Sequence, residues 1–161
     1  MARLKQQYET DGYFGIGILN TNSAFNIGTL WRSAYIFGAS FIFTIDKKYK
    51  KQASDVTRAW TKIPLYHYET FSEFCKLLPY STRIVGVEMS QQSILVVEFE
   101  HPLRSVYLLG CESVGLPVNV LDSCHSIISL PGNFSLNVSV AGSIVMYDRL
   151  CKLKTRYPNR L

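Results

Sequence analysis

Apolar and β-branched residues gather in five short runs: Phe14–Leu19 (FGIGIL), Phe41–Ile45 (FIFTI), Arg83–Val87 (RIVGV), Val106–Leu109 (VYLL) and Ser126–Leu130 (SIISL). Short, nearly continuous runs bounded by polar segments predict strands buried on both faces, as in a parallel sheet. Between them the period changes. Ile27, Leu30, Ala34 and Phe37 follow helical spacing and predict a helix over 27–37, with Gly38 placed to stop it. A second helix is predicted over 71–78, ending before Pro79, and a last one over about 136–153. Alternating strands and helices predict an α/β fold, a mostly parallel sheet flanked by helices. The last helix carries Leu136, Val138, Val140, Ala141, Ile144, Val145 and Met146 around most of its circumference. It needs cover on several sides, from the sheet and its loops or from a second subunit.

At 161 residues and 47% hydrophobic content, the chain is expected to fold as a single domain over 1–161. It shows no internal repeat, low-complexity tract or linker-like boundary. Ser139, Gly142 and Ser143 interrupt the C-terminal apolar run well short of the roughly 20 residues that span a bilayer, so no membrane span is expected. Cys75, Cys111, Cys124 and Cys151 form no C-x-x-C pair, and the N-terminus does not read as a signal peptide. Reduced thiols in a cytoplasmic protein are the expectation.

Charge narrows the partners. Lys and Arg outnumber Asp and Glu by 17 to 12, a formal net charge of +5, which favours a polyanion. The segment 47–62 concentrates Lys47, Lys48, Lys50, Lys51, Arg58 and Lys62 around Tyr49 and Trp60. Cations there would hold phosphates while aromatic rings stack on unpaired bases, which makes it a candidate RNA-binding segment. The competing reading is a solvated loop and helix with Trp60 packed inward. Lys152, Lys154, Arg156 and Arg160 near the C-terminus would extend the same positive surface.

Several familiar chemistries are disfavoured. His67, His101 and His125 each stand without a second ligand at metal spacing, so no metal is expected. There is no phosphate-cradling G-x-x-x-x-G-K-[ST], and Gly15 and Gly17 lie inside a predicted strand without the third glycine of a dinucleotide fingerprint. In Gly110–Gly115 (GCESVG), Cys111 stands where a nucleophile elbow needs glycine.

Three segments are richer in Gly, Asn and Ser than an ordinary α/β domain requires. The first, 26–34 (NIGTLWRSA), enters the first helix, where Asn26 would serve at least as a cap and Gly28 and Arg32 share a face. The second, 108–117 (LLGCESVGLP), follows a buried strand, so its glycines would let a ligand approach backbone at the sheet's C-terminal edge. The third, 128–141 (ISLPGNFSLNVSVA), runs from a strand through a tight loop into the apolar helix, with Ser135 as a possible N-cap. In order, N-x-G-x-x-x-R-x-A, G-x-E-x-x-G-L-P and S-L-N-V-S-V-A resemble the signature motifs of the SPOUT superfamily, specifically its SpoU-type, TrmH-like RNA ribose 2′-O-methyltransferases. The resemblance spans most of the chain.

This resemblance implies a C-terminal deep trefoil knot, a homodimer and S-adenosylmethionine as methyl donor. By position, Val87, Leu109, Gly110, Gly115, Ile128, Leu130 and Leu136 would line the donor pocket, with core packing as the competing reading for the apolar ones. Arg32, Asn26, Glu112, Ser135 and Asn137 would carry the catalytic site, Arg32 also touching RNA. A guanidinium keeps its proton, so Arg32 is better suited to anchoring a phosphate and orienting a hydroxyl than to acting as base. The resemblance favours tRNA over rRNA, since little chain is left for an accessory RNA-binding domain. A non-catalytic RNA-binding relative and a nucleobase methyltransferase remain the alternatives. Two departures stand out: Ser23-Ala24-Phe25 precede Asn26 where relatives often carry a proline, and the loop before Ser135 is shorter than the family's usual one.

Overall fold

The strands β1 (Tyr13–Leu19), β2 (Phe41–Ile45), β3 (Leu65–Tyr68), β4 (Arg83–Val87), β5 (Ile94–Leu95), β6 (Arg104–Leu109) and β7 (Ser126–Ser129) form one sheet in the order β3-β2-β1-β6-β4-β7-β5. Every neighbouring pair is parallel. Among the residues that this computed structural model describes, 12–21, 23–49 and 61–153, four α-helices accompany the sheet: α1 (Ala24–Ile36), α2 (Phe71–Leu77), α3 (Val118–Leu121) and α4 (Val138–Lys152).

The apolar runs are continuous because both sheet faces are covered. In β6, Tyr107 and Leu109 belong to the core cluster beneath α1 and α4, with Leu30, Val145 and Met146. Their neighbours Val106 and Leu108 point to the other cluster, with Phe74 of α2 and Val120 of α3, as the two-residue period of a strand requires. Gly15 and Gly17 of β1 make room for β2: a Cβ at either would lie 2.4 Å from the Phe41 ring or 2.3 Å from the Phe43 carbonyl.

Helix α1 begins three residues before the predicted Ile27, because Ser23 caps it by accepting from the Asn26 amide at 3.4 Å. It ends where Gly38 turns at φ 83° and the Ala39 amide reaches back to the Ala34 carbonyl at 2.9 Å. Helix α4 begins at Val138, not Leu136, and its cap is Asn137, not Ser135. Three elements lie outside the sequence-based expectation: β3, half-exposed throughout; the two-residue edge strand β5; and α3, a single turn.

The end of α4 is tied down by buried polar contacts. Arg149 donates to the carbonyls of Pro102 (2.7 Å) and Leu103 (2.9 Å), while His101 bridges the Tyr107 hydroxyl (2.6 Å) and the Asp148 carboxylate (2.8 Å). Lys152 pairs with Asp148 at 2.9 Å and donates to the carbonyls of Val96 and Phe99. Lys152 is therefore engaged with the segment joining β5 to β6, a binding mode different from the open positive surface expected of it. Burial pushes the His101 imidazolium pKa below its ordinary value, against the pull of Asp148. No helix among the described residues is long and apolar enough to cross a membrane.

Candidate active site

All strands of a parallel sheet finish on the same edge, and ligand sites of such sheets form there. Beyond β6 the chain turns through Gly110–Gly115, and the Gly115 amide donates back to the Cys111 carbonyl at 2.9 Å. The turn is tight: a Cβ on Gly110 would lie 2.1 Å from the Gly115 backbone, and Gly115 itself sits at φ 71°, where side chains are strained. Hydrogen bonding from Ser113, helped by backbone amides of the turn and opposed by burial, lowers the Cys111 thiol pKa.

Two carboxylates hold this turn. Glu88, just past β4, accepts from the Leu116 amide (2.8 Å) and the Met89 amide (3.1 Å). Glu112, at the tip, accepts from the side-chain amides of Asn26 (2.9 Å) and Asn137 (2.6 Å) through the same oxygen. The Asn137 amide also donates to the Asn26 carbonyl oxygen at 3.0 Å, which closes a three-residue ring of hydrogen bonds. Asn137 is oriented by its role as cap, its Oδ1 accepting from the Ser139 amide (3.0 Å), the Ser139 hydroxyl (2.6 Å) and the Val140 amide (3.4 Å). Asn26 is 4% exposed, and with its side-chain amide bonded on both ends it is satisfied within the cluster.

Below the cluster lies a cavity of about 460 Å³, between the ends of β4, β6 and β7 and the first turn of α4. Of the residues expected around a donor, Val87, Leu109, Gly110, Gly115, Leu130 and Leu136 line it. Ile128 does not: it is fully buried in the core beneath α1 and α4. Of the expected catalytic residues, Glu112, Ser135 and Asn137 line the cavity, and Asn26 stands behind the latter's amide. Arg32 is not part of the lining; it is exposed on α1. Lys47 and Lys48 are exposed just beyond β2 on the same sheet edge, Lys48 paired with Glu69 at 3.0 Å. Lys50, Lys51 and Arg58 lie outside the described residues, as do Trp60, Lys154, Arg156 and Arg160.

Glu88 and Cys111 also line the cavity, and the motifs alone did not single them out. For Glu88 the available signal was a carboxylate following a buried strand at the edge where ligands bind. Cys111 carried none, since its neighbours in the turn draw attention to glycine and glutamate instead.

Against known proteins, the model of the SpoU rRNA Methylase family matches residues 14–147. A tRNA (guanosine(18)-2′-O)-methyltransferase, TARBP1 of Mus musculus, is 25% identical over 135 residues, covering 76% of this chain and 8% of the mouse protein. Among solved structures, an AdoMet-bound rRNA methyltransferase from Sinorhizobium meliloti superposes with a TM-score of 0.78 at 20% identity, covering 91% of this chain and 62% of that one. A structure concerned with 2-OH methylation of C/U34 on tRNA gives a TM-score of 0.76 at 24% identity, covering 90% of this chain and 99% of that one. At these identities the superpositions establish a shared fold. The family match covers the sheet, all three motif segments and most of α4, and on that ground the chain belongs to the SpoU rRNA Methylase family.

Proposed function

We propose that the chain transfers a methyl group from S-adenosylmethionine to a ribose 2′-hydroxyl of RNA, with tRNA as the favoured substrate. The observation that carries this reading is the ring formed by Asn26, Glu112 and Asn137, in which three distant motifs meet at the mouth of one cavity. The cavity fits the donor in kind: its volume of about 460 Å³ lies within the usual ligand range, its walls mix apolar side chains with polar groups, and Gly110 and Gly115 expose backbone to it. Bound there, the donor supplies an electrophilic methyl group. The likeness to the mouse tRNA methyltransferase and to the C/U34 structure favours tRNA over rRNA.

Within this reading each residue has a defined task. Asn26 holds Glu112 and Asn137 in place, and Glu112 fixes the tip of the turn over the cavity. Ser135, exposed and lining the cavity, contributes a neutral hydroxyl to the ribose. Arg32 anchors an RNA phosphate and orients the attacking hydroxyl. Lys47 and Lys48, on the same edge, extend the phosphate track.

The proposal includes a homodimer. Phe25 (71% exposed) and Ile36 on α1, and Val140, Ile144 and Tyr147 on α4, leave two adjacent helices with apolar outer faces. Arg32 lies on the same α1 face as Phe25 and Ile36, so pairing through these helices brings it to a donor that its own chain's cavity lining does not reach. A knotted C-terminus belongs to the same reading through the family resemblance alone, and a cytoplasmic location is supported by four cysteines without a disulfide. The test is incubation with labelled donor and separate tRNA and rRNA pools, followed by nuclease digestion and identification of the labelled nucleoside. A 2′-O-methylated nucleoside from tRNA is expected. Label on a base, or none despite donor binding, overturns it in favour of a base-modifying or non-catalytic relative.

A further inference from the structure

Among the described residues, the cavity lining contains two carboxylates, Glu88 and Glu112, and no Lys, Arg or His. Glu112 spends one oxygen on two side-chain amides and lies exposed at the tip of the turn. Glu88 is partly buried and is held by two backbone amides, Leu116 at 2.8 Å and Met89 at 3.1 Å. Amide dipoles orient a carboxylate without cancelling its charge, so the field of Glu88 persists in the cavity. As a clamp on the turn, the carboxylate accepts from Leu116 on one oxygen and from Met89 on the other; a neutral amide side chain keeps one of these two acceptors and removes the charge.

We propose that Glu88 is the residue by which this site discriminates the sulfonium-bearing methyl donor from its thioether product. This rests on the methyltransferase reading above. S-adenosylmethionine carries a sulfonium; when the S–CH3 bond breaks and the O–CH3 bond forms, the sulfur becomes a neutral thioether and the hydroxyl proton passes to solvent. The two molecules are otherwise nearly the same shape, so apolar walls and backbone contacts hold both about equally. Donor and product share the α-ammonium and α-carboxylate and differ by the charge at sulfur, so a carboxylate in the lining adds an attraction that the donor alone has, and its hold weakens at the moment of transfer. Glu88 therefore favours loading of donor and release of product.

Calorimetric titration of the purified protein with three ligands tests this: S-adenosylmethionine, S-adenosylhomocysteine, and sinefungin, in which a protonated amine replaces the sulfonium. The wild type is expected to bind both cations about tenfold more tightly than the thioether, the size of a partly screened charge–charge attraction. Glu88→Gln preserves shape and an acceptor for Leu116; it should weaken both cations to near the thioether's affinity and leave the thioether unchanged. Equal affinity of the wild type for all three ligands overturns the proposal whatever the variant does, and so does a uniform loss for all three in Glu88→Gln, which marks a clamp alone. If the wild type binds none of the three, the methyltransferase reading itself fails.

Discussion

Asn137 joins more of this molecule than any other single side chain of the site, and replacing it by alanine separates its contributions. The change removes the cap of α4, worth about 1 kcal/mol. It also removes the donor that satisfies the buried Asn26 carbonyl oxygen, and an orphaned buried acceptor costs about 1–2 kcal/mol. The bond to Glu112 adds only a fraction of a kcal/mol, because that carboxylate is exposed. A loss of about 3 kcal/mol follows, equivalent to roughly 6–12 °C in Tm for a domain of this size. Asn137→Asp keeps the capping oxygen but loses the donors and sets a second carboxylate beside Glu112, so it should fall nearly as far. Ser23→Ala provides the scale: it removes a cap made through one 3.4 Å bond and should cost about 0.5–1 kcal/mol. Urea and thermal unfolding followed by circular dichroism measure all three. If Asn137→Ala costs no more than Ser23→Ala, the ring is not a coupled unit and its assignment as the frame of the site is wrong.

Other expectations follow from single features. Arg32→Ala should abolish methyl transfer to RNA while donor affinity stays within about twofold, since the residue is outside the cavity lining; full activity would remove Arg32 from the mechanism. Gly115→Ala places a Cβ 2.5 Å from the Glu88 carboxylate at φ 71°, a backbone region costing about 1–2 kcal/mol for a side-chain-bearing residue. Donor binding, read by calorimetry, should weaken markedly, and unchanged affinity would show that the turn does not shape the pocket. His101 is buried with its pKa held below the unfolded value of about 6.5, so the unfolded chain takes up the proton first. Its contribution is complete above that pH and declines as pH falls toward the folded value. Denaturation between pH 7.5 and 5.5 should show the decline, and His101→Gln should flatten it.

Where a signal is local, the sequence carried it. Continuous apolar runs marked β1, β2, β4, β6 and β7 because burial on both faces leaves no polar alternation. Gly38 marked the end of α1 because only a left-handed turn reverses the chain there. β3, β5 and α3 were silent, being short or half-exposed, with too few buried positions to imprint a period. The cap of α4 is Asn137, two residues beyond Ser135, the possible cap that the sequence offers; both are good capping residues and only the path of the loop selects between them.

The sequence by itself determined an α/β chain with a basic balance and three polar, glycine-bearing segments, and those segments sufficed to suggest the family. Tertiary structure decided what the segments do together. Asn26 and Asn137 are 111 positions apart and Glu112 lies between them, yet one oxygen joins all three. That contact depends on β6 inserting between β1 and β4, a strand order that local preference does not encode. The same order sets Glu88 against Gly115, withdraws Ile128 into the core and leaves Arg32 outside the cavity. Residue type defines what a side chain can donate, accept or exclude; only the packed sheet settles which partner it meets and whether water is present.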